Sequence, residues 1–281
     1  MVLEALSNPI NAESKPWTMF FVGFLYNSVA LFLSWWIFFS YASMIMVFLT
    51  TIAAIPLIYG TMRLEEEKDE EIESEGALLK QHAKAIALLS FLFVGAITSI
   101  VMWYMILPGS ITSSLFGAQI ETITSINPHI TGNAISSGAL TRIFINNLGV
   151  LFFSMLFALI YGFGAIFVLI WNASVIGVYV GNLINNNLAH FIGATGLAKL
   201  SGYFQSISGS FLKVFFHGSL EILAYVFGGL AGGILSISLV RHRFETEHFQ
   251  KIILDTANLL FIALGFLILA AIVEVYLSPL L

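Results

Sequence analysis

Long apolar runs separated by short polar segments follow one another along most of the chain. Each run is long enough, at about 20 residues, to cross the hydrocarbon core of a bilayer as an α-helix. The runs are continuous and show no apolar–polar alternation, so a transmembrane β-barrel is not indicated. The pattern predicts an all-α, polytopic transmembrane helical bundle of about seven spans, at roughly residues 17–38, 41–61, 85–107, 142–170, 172–190, 214–240 and 252–277.

The fifth run is short and polar for a membrane span. It contains Asn172, Gly177 and Gly181 and ends in the run Asn185–Asn187. Two structures fit this composition: a full span, or a re-entrant half-helix whose unwound backbone is covered by protein or water. A re-entrant fifth segment would leave six spans.

Composition agrees with a membrane protein and excludes several kinds of chemistry. The 281 residues are 58% hydrophobic and 10% charged, whereas soluble domains are roughly one quarter charged. The chain has no cysteine, which excludes disulfides, thiolate metal sites and a cysteine nucleophile. The basic residues form no stripe of the kind that binds nucleic acid. We expect the chain to be surrounded by the lipid bilayer.

Charge divides the chain and predicts its orientation. An acidic run within residues 63–84 predicts an exposed cytoplasmic helix or solvated linker between an N-terminal segment with a two-span hairpin (1–62) and the main membrane bundle (85–281). Most of the basic residues lie in two segments: Arg63, Lys68, Lys80 and Lys84 in one, and Arg241, Arg243 and Lys251 in the other. The positive-inside rule makes both segments cytoplasmic. Seven spans in a cell membrane then give a cytoplasmic N-terminus and an external C-terminus, with the Gly- and Ser-rich segment 191–213 outside.

Ionisable and amide side chains inside the apolar runs form the candidate site. His217 and Glu221 lie at positions i and i+4 of the sixth run and therefore share a helix face. Such groups are costly in a membrane and usually face protein or water. We expect a polar intramembrane network of His217, Glu221 and three asparagines, namely Asn146, Asn147 and Asn172.

Glycines four residues apart predict close helix packing. Helices in lipid associate largely through small residues that let backbones approach. The candidate packing positions are Gly177, Gly181, Gly228 and Gly232.

These motifs, in their order along the chain, resemble the stage II sporulation protein M family. The resemblance rests on the sequences INN at 145–147, NASVIG at 172–177, HGSLE at 217–221 and AYVFGGLAGG at 224–233, and it covers roughly residues 84–281. The opening residues and the 17–61 hairpin are similar to the N-terminal extension of archaeal members. In sporulating bacteria, the family's namesake is a membrane component of a peptidoglycan-remodelling complex, so the resemblance implies a subunit of an envelope assembly.

Two functions fit the sequence. The first is a non-enzymatic scaffold or core subunit of a membrane complex, without a cofactor and with a partner protein or further copies of itself. The second is a transporter or channel whose cavity is lined by Asn146, His217 and Glu221. An intramembrane metalloprotease would carry H-E-x-x-H or an equivalent second histidine, and the spacing here is H-x-x-x-E, so we expect neither catalytic residues nor a metal site.

Overall fold

A computed structural model describes residues 9–71, 75–126, 138–161, 164–191, 193, 195–240 and 247–277. The helices are α1 (Pro9–Ser14), α2 (Thr18–Ile37), α3 (Ala42–Glu71), α4 (Glu75–Ile106), α5 (Gly109–Leu115), α6 (Gly117–Ile126), α7 (Ala139–Tyr161), α8 (Gly164–Ala189), α9 (Gly196–Val240) and α10 (Glu247–Ile272). A 3₁₀ turn over Phe39–Tyr41 precedes α3, and a π-helical segment over Val273–Leu277 follows α10. These ranges contain no β-strand.

Seven of the described helices are long and apolar enough to cross a membrane. They are α2, α3, α4, α7, α8, α9 and α10 with its π-helical continuation. The predicted all-α polytopic bundle is therefore confirmed. The fifth of these helices, α8, is continuous over 26 residues, which is enough for a full span rather than a half-helix.

The predicted border between the fourth and fifth spans was wrong. We expected the fourth span to reach residue 170, but α7 ends at Tyr161 and α8 already begins at Gly164. Asn172 had suggested a helix start. Its side-chain Nδ2 instead donates to the carbonyl of Val168, 2.8 Å away and one turn earlier in the same helix. An amide satisfied in this way can remain inside a helix.

The expected external segment at 191–213 also differs from the structure. From Gly196 onward it is helical and continues without interruption into the sixth span, giving α9 a length of 45 residues. Its small residues are explained by packing, because Gly202 lies against Phe191 and Ser206 and Ser210 are buried.

The bundle is built around α9, which contacts α3, α4, α7, α8 and α10. All residues from Ala224 to Ile234 are buried. A second close pair is α2 with α4, where a side chain added at Gly23 would meet the backbone of Leu92, and one at Gly95 would meet that of Phe20. Glycine at these positions lets the two backbones approach each other.

The charged segment between the second and third spans is less exposed than its composition suggests. α3 continues to Glu71 and α4 begins at Glu75. We expected a solvated connector, but Glu65 and His82 are fully buried. The opening residues before Pro9 and the basic residues Arg241 and Arg243 lie outside the described ranges.

Candidate functional site

A carboxylate–amide pair joins α9 to α7 within the bundle. The Nδ2 of Asn147 donates to Oε1 of Glu221 at 2.5 Å, and the Nδ2 of Asn146 donates to Oδ1 of Asn147 at 3.3 Å. Asn147 is buried, whereas Asn146 is exposed. The structure thus brings together three of the five residues of the predicted polar network.

The other two predicted residues occupy different surroundings. His217 is half-buried and lies one turn before Glu221 on α9. Asn172 belongs to α8 and donates to its own helix, as described above. A group that the sequence did not single out for this site, Glu274 in the π-helical segment, interacts electrostatically with Glu221. The region around Asn147 and Glu221 is called the Glu221 cluster below.

Each glycine singled out by the sequence lies at a helix contact. A Cβ atom on Gly177 would be 2.8 Å from Cγ2 of Ile100, and one on Gly181 would be 2.8 Å from Cδ1 of Tyr104. These two positions bring α8 against α4. Gly228 and Gly232 bring α9 against α7, since a Cβ on Gly228 would collide with Leu151 and one on Gly232 would be 2.8 Å from the carbonyl oxygen of Met155.

A second cluster of charged residues lies at the opposite end of the bundle. His82 near the start of α4 is its centre: its Nδ1 is 2.5 Å from Oε2 of Glu65, and its Nε2 is 3.0 Å from Oδ2 of Asp255. Glu65 also contacts the ammonium of Lys68, which in turn lies 2.7 Å from Oε2 of Glu13. These five residues, the His82 cluster, tie together α1, α3, α4 and α10.

The arrangement of His82 constrains its protonation. A neutral imidazole has one N–H donor and one acceptor nitrogen. Because both ring nitrogens face carboxylates, either the ring is protonated and donates twice, or one carboxyl group carries a proton and donates to the ring. In either state the imidazole links Glu65 on α3 to Asp255 on α10.

Glu13 is the least compensated member of the His82 cluster. It is 8% exposed, and its Oε1 has no hydrogen-bond partner among the described residues. Burial raises the pKa of Glu13 from 4.5 to about 7, against the opposing effect of Lys68. This carboxyl group is therefore close to half-protonated near neutral pH.

The His82 cluster was not predicted from the sequence. Glu65 and Lys68 were assigned to a solvated acidic run, and His82 and Asp255 are 173 residues apart. The one signal in the sequence was Asp255, an ionisable residue within the first turns of the seventh apolar run. No group of three or more His, Asp or Glu side chains in the described ranges is arranged to hold a metal ion.

Comparison with known proteins assigns the family. The sequence profile of the stage II sporulation protein M family matches residues 85–279. The chain belongs to this family. No curated protein and no solved structure matches it. Family membership and the seven apolar helices together identify a multi-pass membrane protein.

The two clusters relate differently to the matched region. Asn147, Glu221 and Glu274 lie within it, whereas Glu13, Glu65, Lys68 and His82 precede it. Asp255 is the member of the His82 cluster that belongs to the family region. The His82 cluster therefore fastens the N-terminal part of the chain onto the stage II sporulation protein M bundle.

Proposed function

We propose that this member of the stage II sporulation protein M family is a non-enzymatic scaffold or core subunit of a membrane complex. The main observation in support of this proposal is a buried apolar stretch within α9. From Ala224 to Ile234 every residue is buried, and Tyr225 is the one polar side chain in this stretch. Glycine contacts with α7, α8 and α3 surround it.

The last helix supports the same proposal. Asp255 and Glu274 are 19 positions apart on the α10 helix and its continuation, which corresponds to about 28 Å along the axis. Between them, Leu259, Ala263 and Leu267 are fully buried. Along α10, packed apolar side chains therefore separate the two clusters, whereas ion or solute passage requires a polar lining.

The test is transport by the purified chain in liposomes. A scaffold gives no proton or ion flux above that of protein-free vesicles under an imposed pH gradient. In a scaffold, Glu221→Gln should change the thermal stability in detergent, because the amide alters the hydrogen bond with Asn147. The flux should remain unchanged. Glu121→Gln, at an exposed position on α6, is the control for a change of charge.

A different result would favour the alternative function. If the wild-type chain carries a pH-dependent flux that Glu221→Gln abolishes without unfolding the protein, the chain is a transporter or channel, and the scaffold proposal fails.

We also infer the orientation of the chain in the cell membrane, with the N-terminus in the cytoplasm and the C-terminus outside. Arg63, Lys68, Lys80 and Lys84 lie near the junction of α3 and α4, and Lys251 lies near the start of α10. These positions are at the same end of the bundle, because His82 contacts both Glu65 and Asp255 there. Basic residues collect on the cytoplasmic side of membrane proteins.

A further inference from the structure

A cavity of about 420 Å³ lies between the end of α8 and the first turns of α9. Its volume is within the range of sites that bind small molecules. The described residues that line it come from both helices and from the turn after α8, namely Asn185, Leu188, Ala189, Phe191, Lys199 and Tyr203. This feature is called the α8–α9 cavity below.

Contacts between the two helices hold the walls of the cavity in place. The Nδ2 of Asn187, near the end of α8, donates to Oγ of Ser210 on α9 at 3.0 Å. A Cβ atom on Gly202 would lie 2.5 Å from the ring of Phe191, so glycine lets α9 approach the turn closely. The cavity is therefore formed by the packing of the fold itself.

The lining combines one positive charge, neutral hydrogen-bonding groups and an apolar wall. Lys199 supplies an ammonium group, Tyr203 a hydroxyl group and Asn185 an amide group. All three can donate hydrogen bonds to an anion. Leu188 and Phe191 supply apolar surface beside them. The cavity thus fits a ligand in which an anionic group lies next to hydrocarbon.

The chain around the cavity offers no carboxylate to neutralise Lys199. No Asp or Glu occurs between Glu121 and Glu221, whereas Arg142, Lys199 and Lys213 all lie in this interval. The orientation proposed above puts Lys199 outside, although basic residues of membrane proteins collect on the cytoplasmic side. An anion that is not part of the chain is therefore a fitting partner for its ammonium group.

The cavity lies where the apolar part of α8 ends. Ile184 is buried and packs with Val180 and Val214, and the exposed run Asn185–Asn187 follows it directly. Tyrosine, present here as Tyr203, is enriched at the boundary between hydrocarbon and water. The headgroups of membrane lipids lie at the same boundary. A lipid headgroup can therefore reach the cavity from within the bilayer.

We propose that the α8–α9 cavity binds the phosphate group of an anionic membrane lipid. Lys199 is the cationic contact, and Leu188 and Phe191 lie beside the hydrocarbon of the lipid. Basic pockets between membrane helices bind lipid headgroups through the same kinds of contact. The proposed orientation of the chain assigns this lipid to the outer leaflet. The inference is independent of the scaffold function, since it applies equally to a transporter.

Protection of a single cysteine from a thiol reagent tests the site, because the chain contains no cysteine of its own. The purified full-length protein in detergent micelles carries Ala189→Cys, an exposed position in the cavity wall. Phosphatidylglycerol in the micelles is expected to slow the modification about fivefold more than phosphatidylcholine with the same acyl chains. Ala198→Cys, which is exposed but does not line the cavity, should react equally fast with either lipid.

Substitution of Lys199 separates recognition of the phosphate from burial of the acyl chains. In the Ala189→Cys background, Lys199→Gln should abolish the additional protection by phosphatidylglycerol, and Lys199→Arg should retain it. Lys213→Gln is the matched control, because Lys213 is an exposed lysine of the same helix that does not line the cavity. Lys199 is exposed as well, so all three variants should melt at the wild-type temperature in the absence of added lipid.

Three results would overturn the proposal. Equal protection by the two lipids that persists in Lys199→Gln would mean that the cavity holds acyl chains without recognising a phosphate group. Protection by inorganic phosphate as strong as that by phosphatidylglycerol would assign the site to a soluble anion. Unchanged reactivity of Ala189→Cys with either lipid would mean that the cavity binds no lipid.

Discussion

The carboxyl group of Glu13 joins the N-terminal helix α1 to α3. Lys68 is its cationic partner, but Lys68 is shared with Glu65. Burial outweighs the charge of Lys68 and raises the pKa of Glu13 to about 7.

The first prediction is that docking of α1 strengthens on acidification. The pKa of Glu13 is about 7 when docked and close to its ordinary 4.5 when released. The docked state therefore binds the proton more tightly. The stabilisation is complete below about pH 4.5 and is lost as the pH rises to about 7; its upper limit is about 3 kcal/mol. The measurement is labelling of Ala12→Cys, which is buried, relative to the exposed Ile10→Cys at each pH.

Glu13→Gln provides the control for this prediction. The amide cannot ionise, so the labelling ratio should no longer depend on pH between 4.5 and 7. A pH dependence that survives in Glu13→Gln would assign the effect to another member of the His82 cluster.

The second prediction concerns His82, which separates two buried carboxylates. His82→Ala leaves Glu65 and Asp255 without their shared partner, and removing one member of a buried ion pair costs roughly 3–5 kcal/mol. We expect a large decrease in the melting temperature of the detergent-solubilised protein. His190→Ala, at an exposed position, should change it little. If His82→Ala is as stable as the wild type, the cluster does not contribute to holding the N-terminal region.

The two clusters differ in how far sequence could reveal them. The Glu221 cluster was predictable because Asn146, Asn147 and Glu221 are conspicuous within apolar runs and belong to spans that start on the same side. The His82 cluster depends on which helices are neighbours, and nothing in the local sequence states that α4 packs beside the start of α10. An acidic run is expected to be exposed, so its composition gave no indication that Glu65 is buried.

At the scale of the elements, glycine contacts determine how closely the helices approach. Gly232 is the clearest case, because a Cβ atom there would be 2.8 Å from both the carbonyl oxygen of Met155 and the Cβ of Ala158. A backbone atom cannot move aside as a side chain can. α9 and α7 would have to separate, and the Asn147–Glu221 hydrogen bond, which joins the same two helices, would be strained.

The third prediction compares two glycines. Gly232→Ala is expected to destabilise the bundle by about 1–3 kcal/mol through overpacking. Gly265→Ala on α10, where an added Cβ meets nothing within 4 Å, should be neutral or slightly stabilising because alanine favours helix. Thermal unfolding in detergent measures both. Equal effects of the two substitutions would contradict the contact between α9 and α7.

The presence of each membrane helix was easier to predict from the sequence than the residues at which it begins and ends. Apolar length alone gave all seven membrane helices. It failed at the start of α8, because Asn172 satisfies its own amide within the helix. It failed again at residues 196–213, because Gly202, Ser206 and Ser210 have the composition of a loop but form the packed face of a helix. In both places tertiary contacts, which a local pattern does not contain, decided the backbone.

For the whole molecule, an odd number of crossings puts the two termini on opposite sides of the membrane. Seven spans and the grouping of basic residues give the orientation proposed above. The same scheme puts residues 196–213 outside the cell, on the side of the α5 and α6 helices. The His82 cluster would then experience cytoplasmic pH.

The fourth prediction is a labelling pattern on intact cells with a membrane-impermeant thiol reagent. Ser113→Cys on α5 and Ala198→Cys at the start of α9 should react, because both positions are exposed and the proposed orientation puts them outside. Lys80→Cys and Gln250→Cys, also exposed, should react only after the membrane is permeabilised. The reverse pattern would invert the whole molecule and place residues 196–213 in the cytoplasm. Reaction of Lys80→Cys and Gln250→Cys from opposite sides would mean that one of the helices between them does not cross the membrane. That result would contradict the contact between His82 and Asp255, which puts both positions at one end of the bundle.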